Sequence, residues 1–174
     1  MRKIILLAGA ILLAAAGSHA QDTPAAEVSA SYSFLRFGVS NGVNQNGASI
    51  SVAGNLNHWL GLAGDFGGYH KTENGVTFNT YTYLGGPRFS YRKSNRVTPF
   101  AQVLFGGAHG SVNAFGSSGT GNGFAYSAGG GLDLGLNRRL ALRPQLDYIG
   151  TRFSGTNIST VRASIGIVFR FGNR

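Results

Sequence analysis

The stretch that most constrains the fold lies late in the chain, from Ile158 to Phe171, with the sequence ISTVRASIGIVFRF. Alternate residues from Val161 to Phe171 are apolar, whereas the positions between them include Arg162 and Arg170. A repeat of two residues is the periodicity of a β-strand and not of a helix. A strand with one apolar and one charged face suits the wall of a closed transmembrane barrel, in which neighbouring strands satisfy every backbone hydrogen bond.

The first twenty residues have the organisation of a secretory signal peptide. Arg2 and Lys3 precede an apolar run at 4–16, and the tripeptide SHA at 18–20 provides a small-x-small cleavage site. We predict cleavage after Ala20, which leaves a single domain over residues 21–174. The apolar run is shorter than the ~20 residues that a spanning helix needs, so we favour a removed signal over an N-terminal anchor.

Composition narrows the classes of function. Removal of Arg2 and Lys3 lowers the formal net charge from +9 to +7, and the remaining basic residues are scattered along an exported chain. We therefore predict no nucleic-acid partner. The chain has no cysteine, which excludes disulfides and a thiol nucleophile. Its histidines lack metal-ligand spacing, so we expect neither a metal nor a cofactor.

Alternation of apolar and polar residues continues through the rest of the chain and predicts eight strands. The fold class is therefore all-β, an eight-stranded antiparallel up-and-down transmembrane β-barrel. The predicted strands are 27–36, 48–56, 59–70, 77–91, 98–108, 124–136, 140–149 and 158–171.

The connections alternate between short turns and longer polar loops. The short turns are predicted at 57–58, 92–97 and 137–139, and the longer loops at 37–47, 71–76, 109–123 and 152–157. In outer-membrane barrels short turns face the periplasm and longer loops face outside. An even number of strands lets the last strand pair with the first, which removes the free edges.

Aromatic residues concentrate near the two ends of the predicted strands, as expected of rings at two membrane interfaces. The periplasmic ring contains Trp59, Phe89, Tyr91, Phe169 and Phe171, and the opposite ring contains Tyr32, Phe34, Tyr81 and Phe124. The alternative is a soluble sandwich or lipocalin-like barrel, in which these aromatics form the core. Alternation alone does not decide which face points inward. The signal peptide and the length of the apolar bands favour the membrane.

Charged residues on the polar faces predict an ion-pair network in the lumen, since a buried charge has to be paired or hydrated. An eight-stranded barrel is filled by its own side chains, so we favour a closed plug. The alternative is a small ion-conducting channel that opens by exchange of partners. The predicted network contains Asp65, Arg88, Asp133, Arg143, Asp147 and Arg162.

Three segments carry a resemblance to a known family: PFAQVLFGGAHG (99–110), ALRPQLDYIGTRF (141–153) and VRASIGIVFRF (161–171). With the strand order, they resemble the small outer-membrane β-barrel domains, such as the OmpA transmembrane domain and OmpX. The resemblance implies the cell outer membrane of a Gram-negative bacterium. It also implies insertion by the barrel assembly machinery, guided by a final strand that ends in an aromatic residue. Here Gly172, Asn173 and Arg174 follow Phe171.

His109 and Ser111 are two residues apart, a spacing that places both side chains on one face of a strand. A histidine beside a serine can activate the hydroxyl for attack on an ester. Lipid A deacylases of the outer membrane use such a pair, which makes this class the enzymatic alternative. No acidic residue is placed to orient His109, so we predict that the protein is not an enzyme.

These features together predict a monomeric structural or surface-interaction protein of the outer membrane. Its expected partners are outer-membrane lipid and lipopolysaccharide, and its longest outer loop, 109–123, is the expected site of specific contacts. Basic residues at the predicted periplasmic turns are expected to be solvated or to meet anionic lipid headgroups. They are Arg92, Lys93, Arg96, Arg138 and Arg139.

Overall fold

The structure, a computed structural model, describes residues 23–37, 44–73, 75–94, 96–114, 117–153 and 156–173. Its elements are eight β-strands, and the predicted signal peptide and cleavage site lie outside the described residues. The strands are β1 (Pro24–Phe37), β2 (Asn44–Asn55), β3 (Leu60–Glu73), β4 (Val76–Ser90), β5 (Val97–Ala114), β6 (Ser117–Gly135), β7 (Leu140–Phe153) and β8 (Thr156–Asn173).

The strands form one closed barrel in which each pairs antiparallel with the next. The barrel closes between β1 and β8, where Tyr32 lies opposite Ile165, and Tyr32 also lies opposite Ala48 of β2. The predicted eight-stranded up-and-down barrel is confirmed, and the two-sheet sandwich is excluded. Within the described ranges, no helix is long and apolar enough to cross a membrane.

The two faces of each strand differ in the way that period-two patterning requires. On β8, Ile165 and Ile167 are 52% and 47% exposed on the outside of the barrel, whereas Arg162 and Val168 are fully buried inside. The outer wall is therefore apolar and the interior is polar and charged, the inverse of a soluble protein. A smaller apolar cluster also lies inside, formed by Ala53, Ala63, Leu84, Leu104, Ala108 and Ala125.

The predicted longer loops were wrong in extent, because the strand pairing continues far into them. The loop predicted at 109–123 belongs almost entirely to β5 and β6, which pair up to Ala114 and Ser117. The loops predicted at 37–47, 71–76 and 152–157 are shortened in the same way. Backbone groups pair whatever the side chains are, so Gly-, Ser- and Asn-rich segments extend the hairpins without apolar alternation.

The barrel has two distinct ends. The short-turn end contains the connections 56–59, 91–96 and 136–139, together with the start of β1 and the end of β8. The hairpin end contains the β3–β4, β5–β6 and β7–β8 hairpins, of which β5–β6 is the longest. Close packing of strands needs glycine at Gly106, where a Cβ would overlap the carbonyl oxygen of Tyr83 on β4.

Candidate functional site

The candidate site is the charged interior of the barrel. The structure places six charged residues predicted for the lumen inside it, each at most 6% exposed. They fall into two groups at different depths in the lumen. The residues are Asp65, Arg88, Asp133, Arg143, Asp147 and Arg162.

The central cluster, near the middle of the lumen, consists of Asp65, Tyr69, Gln145, Asp147 and Arg162. Arg162 Nε and Nη2 lie 2.9 and 2.8 Å from Oδ2 of Asp147, and Nη1 donates across the lumen to Oδ1 of Asp65 at 2.6 Å. Nη1 also donates to the Tyr69 hydroxyl at 3.0 Å. Gln145 donates to both carboxylate oxygens of Asp147, at 3.0 and 2.8 Å. One guanidinium therefore joins β3, β7 and β8.

The terminal cluster, at the short-turn end, consists of Glu27, Arg88, Arg92, Asp133 and Arg143. Glu27 is 2% exposed and meets three arginines: Arg143 Nη2 at 2.8 Å, Arg92 Nη2 at 2.9 Å and Arg88 Nη1 at 3.6 Å. Arg143 also donates two parallel hydrogen bonds to Asp133, of which Nη2–Oδ2 is 2.7 Å. Bidentate pairs between charged groups are stronger than hydrogen bonds between neutral groups.

Gln102 of β5 connects the two clusters, and Phe100 of the same strand packs within the terminal cluster. Gln102 Oε1 accepts from Arg88 Nε and Nη2 at 3.0 and 2.9 Å, while its Nε2 lies 3.5 Å from Oδ1 of Asp147. The guanidinium carbons of Arg88 and Arg143 lie 4.8 and 4.7 Å from the centre of the Phe100 ring. Phe100 thus contributes cation–π contacts to two buried arginines and occupies space between them.

Glu27 is absent from the predicted network, and the prediction for Arg92 is wrong. Glu27 shares the inward face of β1 with Ser29 and Ser33, so the period-two pattern already contained the signal. The sequence predicts that Arg92 is solvated or meets anionic lipid headgroups. Instead the Arg92 side chain lies at the short-turn end of the lumen, where it also donates to the carbonyl of His58 at 3.1 Å and to Asn55 Oδ1 at 3.0 Å. A turn residue with a long side chain can reach a buried carboxylate that only the three-dimensional arrangement brings near.

In the two clusters four carboxylates face four arginines, and Arg170 lies as a fifth arginine 3.9 Å from Oδ2 of Asp133. Burial of an ion is costly unless pairing and hydrogen bonding offset it, and each of these groups has a partner of opposite charge within 4 Å. The arrangement suits a cross-link between strands rather than chemistry on a bound molecule. Among the described residues, no group of three or more His, Cys, Asp or Glu is placed to hold a metal ion.

The aromatic residues lie at the two ends of the outer wall. Trp59 stacks on Phe89 at the short-turn end, with ring centres 6.0 Å apart. Tyr91, Phe169 and Phe171 lie at the same end and are 49%, 47% and 54% exposed. Tyr32, Phe34, Tyr81 and Phe124 are exposed nearer the hairpin end.

His109 and Ser111 lie in strand β5 on the outer face, and not in a loop. His109 Nδ1 is 2.7 Å from Oδ1 of Asn122, the residue opposite it on β6. Ser111 Oγ accepts from Asn79 Nδ2 at 3.5 Å. Each side chain therefore bonds to a neighbouring strand, and the hydrogen-bond partner of His109 is an amide rather than a carboxylate.

Comparison with known families decides the class of protein. The model of the outer membrane protein beta-barrel domain matches residues 5–171. The chain belongs to this family of outer-membrane β-barrels. The short-turn end is accordingly the periplasmic end, and the hairpin end is extracellular. No curated protein matches the chain in sequence.

Solved structures of other outer-membrane barrels share the fold. Neisserial surface protein A is similar with a TM-score of 0.74 and 16% identity, over 84% of this chain and 97% of that one. Ail, the attachment invasion locus protein of Yersinia pestis, gives 0.59 and 19%, over 83% and 97%. The N-terminal barrel domain of Pseudomonas aeruginosa OprF gives 0.53 and 20%, over 86% and 100%. These identities support the fold alone.

Proposed function

We propose that this outer-membrane barrel is a closed structural protein whose extracellular hairpins make surface contacts, and that it neither conducts ions nor catalyses a reaction. The observation that carries the proposal is the continuous contact from Asp65 through Arg162, Asp147, Gln102 and Arg88 to Glu27. Its members come from strands on all sides of the lumen. An ion would have to displace paired charges at two depths in order to pass.

A small channel is the competing function, and one feature favours it. The extracellular half of the lumen contains small polar side chains beside the apolar cluster, namely Ser33, Ser49, Thr82, Ser127 and Thr160. Water in this half would reach the central cluster, where an exchange of partners by Arg162 would open a path.

Conductance in a planar bilayer distinguishes these two functions. The proposal expects the native protein to give no steady discrete openings. A variant that removes the three charges of the central cluster, Arg162→Ser with Asp65→Ser and Asp147→Ser, clears one of the two depths and is expected to conduct more than the native protein. Discrete openings of the native protein would overturn the plug and establish the channel.

Hydrolysis of lipid A is the enzymatic alternative, and His109 and Ser111 are the residues that it requires. The hydrogen bond to Asn122 holds the His109 ring, but the described residues place no carboxylate beside it. We therefore infer no catalysis. Expression of the native barrel, compared with Ser111→Ala, is expected to leave the acyl chains of membrane lipid A unchanged. Chains that the native protein shortens and the variant does not would identify an enzyme.

The surroundings of the barrel follow from its two surfaces. The apolar wall is proposed to contact outer-membrane lipid, and the polar extracellular end to contact lipopolysaccharide, with the chain as a monomer. Insertion is proposed to depend on the barrel assembly machinery, through strand β8 and its aromatic residue Phe171. Surface contacts are assigned to the β5–β6 hairpin, whose described side chains beyond the barrel wall are uncharged.

Removal of the hairpin tip tests the surface role. A variant in which residues 111–120 are replaced by a two-residue turn keeps the membrane part of β5 and β6. Cells that display this variant are expected to adhere less to protein-coated surfaces than cells that display the native barrel at equal density. Equal adhesion would remove the surface role and leave the structural one.

A further inference from the structure

Two of the periplasmic turns have the same local structure. They are the segments LNHWL at 56–60 and LNRRL at 136–140. In each, the backbone N–H groups of the first leucine and the asparagine donate to the last leucine, at 2.9 and 3.1 Å. The side chains of Asn57 and Asn137 also accept two backbone hydrogen bonds each. The turns therefore share one geometry.

The two turns differ at their tips, and they lie on opposite sides of the barrel because β3 and β7 are four strands apart. One tip is His58-Trp59 and the other is Arg138-Arg139. The strand pairing beside them is equivalent, since Trp59 O accepts from Ser90 N and Arg139 O accepts from Arg170 N, both at 2.8 Å. The shared geometry shows that the fold does not require arginine at either tip position.

The surroundings of Arg138 and Arg139 combine an apolar wall with a lack of acidic groups. Leu136 is 66% exposed, and Phe169 and Phe171 are also exposed on the wall beside the turn. The acidic side chains that the structure describes all point into the lumen, and they are Glu27, Asp65, Asp133 and Asp147. Both arginines are exposed, and neither guanidinium has a partner within the described part of the chain.

We propose that the Arg138-Arg139 turn binds the phosphate of an anionic phospholipid, of the phosphatidylglycerol class, in the inner leaflet. A guanidinium group can donate two parallel hydrogen bonds to two oxygens of one phosphate. Two adjacent arginines therefore provide more donors than one headgroup phosphate needs. The acyl chains of the same lipid would lie along Leu136 and Phe169. A soluble anion would use the charges but leave this apolar wall unused, so an amphiphile fits the surface better.

The test uses local tryptophan reporters in vesicles, because Trp59 is the only tryptophan of the chain. Trp59 reports on the turn that has no arginine at its tip. A second protein, with Trp59→Phe and Phe169→Trp, moves the reporter beside Arg139. Each is reconstituted at low salt in phosphatidylcholine that contains either brominated phosphatidylglycerol or brominated phosphatidylcholine. Quenching by the bromine atoms gives the relative association of the two lipids at each reporter.

At Phe169→Trp, association of phosphatidylglycerol is expected to exceed that of phosphatidylcholine by about five-fold or more. This factor corresponds to the usual attraction between one basic residue and an anionic membrane surface. Arg138→Gln with Arg139→Gln is expected to reduce this ratio to near one and to leave the ratio at Trp59 unchanged. Arg138→Lys with Arg139→Lys is expected to keep most of it. Detergent-gel migration verifies that each variant is folded.

Three results would overturn the proposal. The first is a phosphatidylglycerol-to-phosphatidylcholine ratio near one at Phe169→Trp when Arg138 and Arg139 are present. The second is a preference for phosphatidylglycerol that remains after both arginines are replaced by glutamine. The third is a preference that this replacement lowers equally at Phe169→Trp and at Trp59. The first two would make the arginines a contact for a soluble periplasmic partner or a solvated turn. The third would make the preference a property of the whole rim.

Discussion

Glu27 on β1 and Arg143 on β7 are separated by 116 residues, yet their side chains meet inside the barrel at 2.8 Å. Strand β8 lies between them in the wall, so the contact spans the seam at which the barrel closes. The same carboxylate meets Arg88 and Arg92. Glu27 therefore ties the first strand to the last part of the chain and to the β4–β5 connection.

Replacement of Glu27 by Gln is expected to destabilise the barrel by about 3–5 kcal/mol, because it leaves buried arginines without their shared partner. Urea unfolding in phospholipid vesicles measures the loss as a lower midpoint at unchanged slope. Ser31→Ala, an uncharged change on the same face of β1, is the control. Adding Arg92→Gln to Glu27→Gln should recover part of the loss, and a further full-size loss would contradict this account.

Replacement of Arg162 by Met is expected to be the most damaging single change in the central cluster. It leaves Asp65 and Asp147 as buried charges without a counter-ion, at a cost of about 3–5 kcal/mol. The triple variant that adds Asp65→Asn and Asp147→Asn removes those charges and is expected to unfold closer to the native midpoint. If the triple variant is less stable than Arg162→Met alone, the pairs do not act as a unit.

Replacement of Gly106 by Ala is expected to cost about 1–3 kcal/mol, because the new methyl group meets the backbone of Tyr83 rather than a movable side chain. Gly54→Ala is the matched control, since a Cβ there has no neighbour within 4 Å. Thermal unfolding of both variants in the same detergent compares them. Equal midpoints would show that β4 and β5 separate at little cost.

Replacement of Phe171 by Ala is expected to lower the amount of folded barrel in the outer membrane several-fold. Phe171 lies opposite Ala26 at the seam and is 54% exposed near the periplasmic end. A chain that stops at Phe171 is expected to assemble equally well or better. Heat-modifiable migration of membrane fractions measures both. Normal assembly of Phe171→Ala would show that recognition does not use this residue.

The membrane-spanning part of the fold could be predicted from the sequence because its lipid-facing and lumen-facing residues must alternate. Ile165, Arg162 and their neighbours carry that signal directly. The hairpin extensions to Ala114 and Ser117 could not be predicted in this way, since they lie beyond the apolar band and have no core to fill. Strand pairing there depends on backbone groups that every sequence carries.

It was harder to predict which lumen residues pair with one another than to predict which residues lie in the lumen. Alternation places Asp147 and Arg143 inside, but strand tilt and stagger decide which charges reach the same depth. Arg162 meets Asp65 across the lumen at a separation of 97 residues. The Glu27–Arg92 contact depends in addition on the course of a turn, which carries no periodic signal.

The central claim is that the apolar face of each strand contacts hydrocarbon while the charged face lies within. The absence of cysteine from the chain allows single cysteines to be placed on either face of β8. Reaction of Ile165→Cys and Val168→Cys with a lipid-dissolved thiol probe tests the claim most directly. Strong labelling of Ile165→Cys and little labelling of Val168→Cys are expected, and the reverse order would contradict the claim.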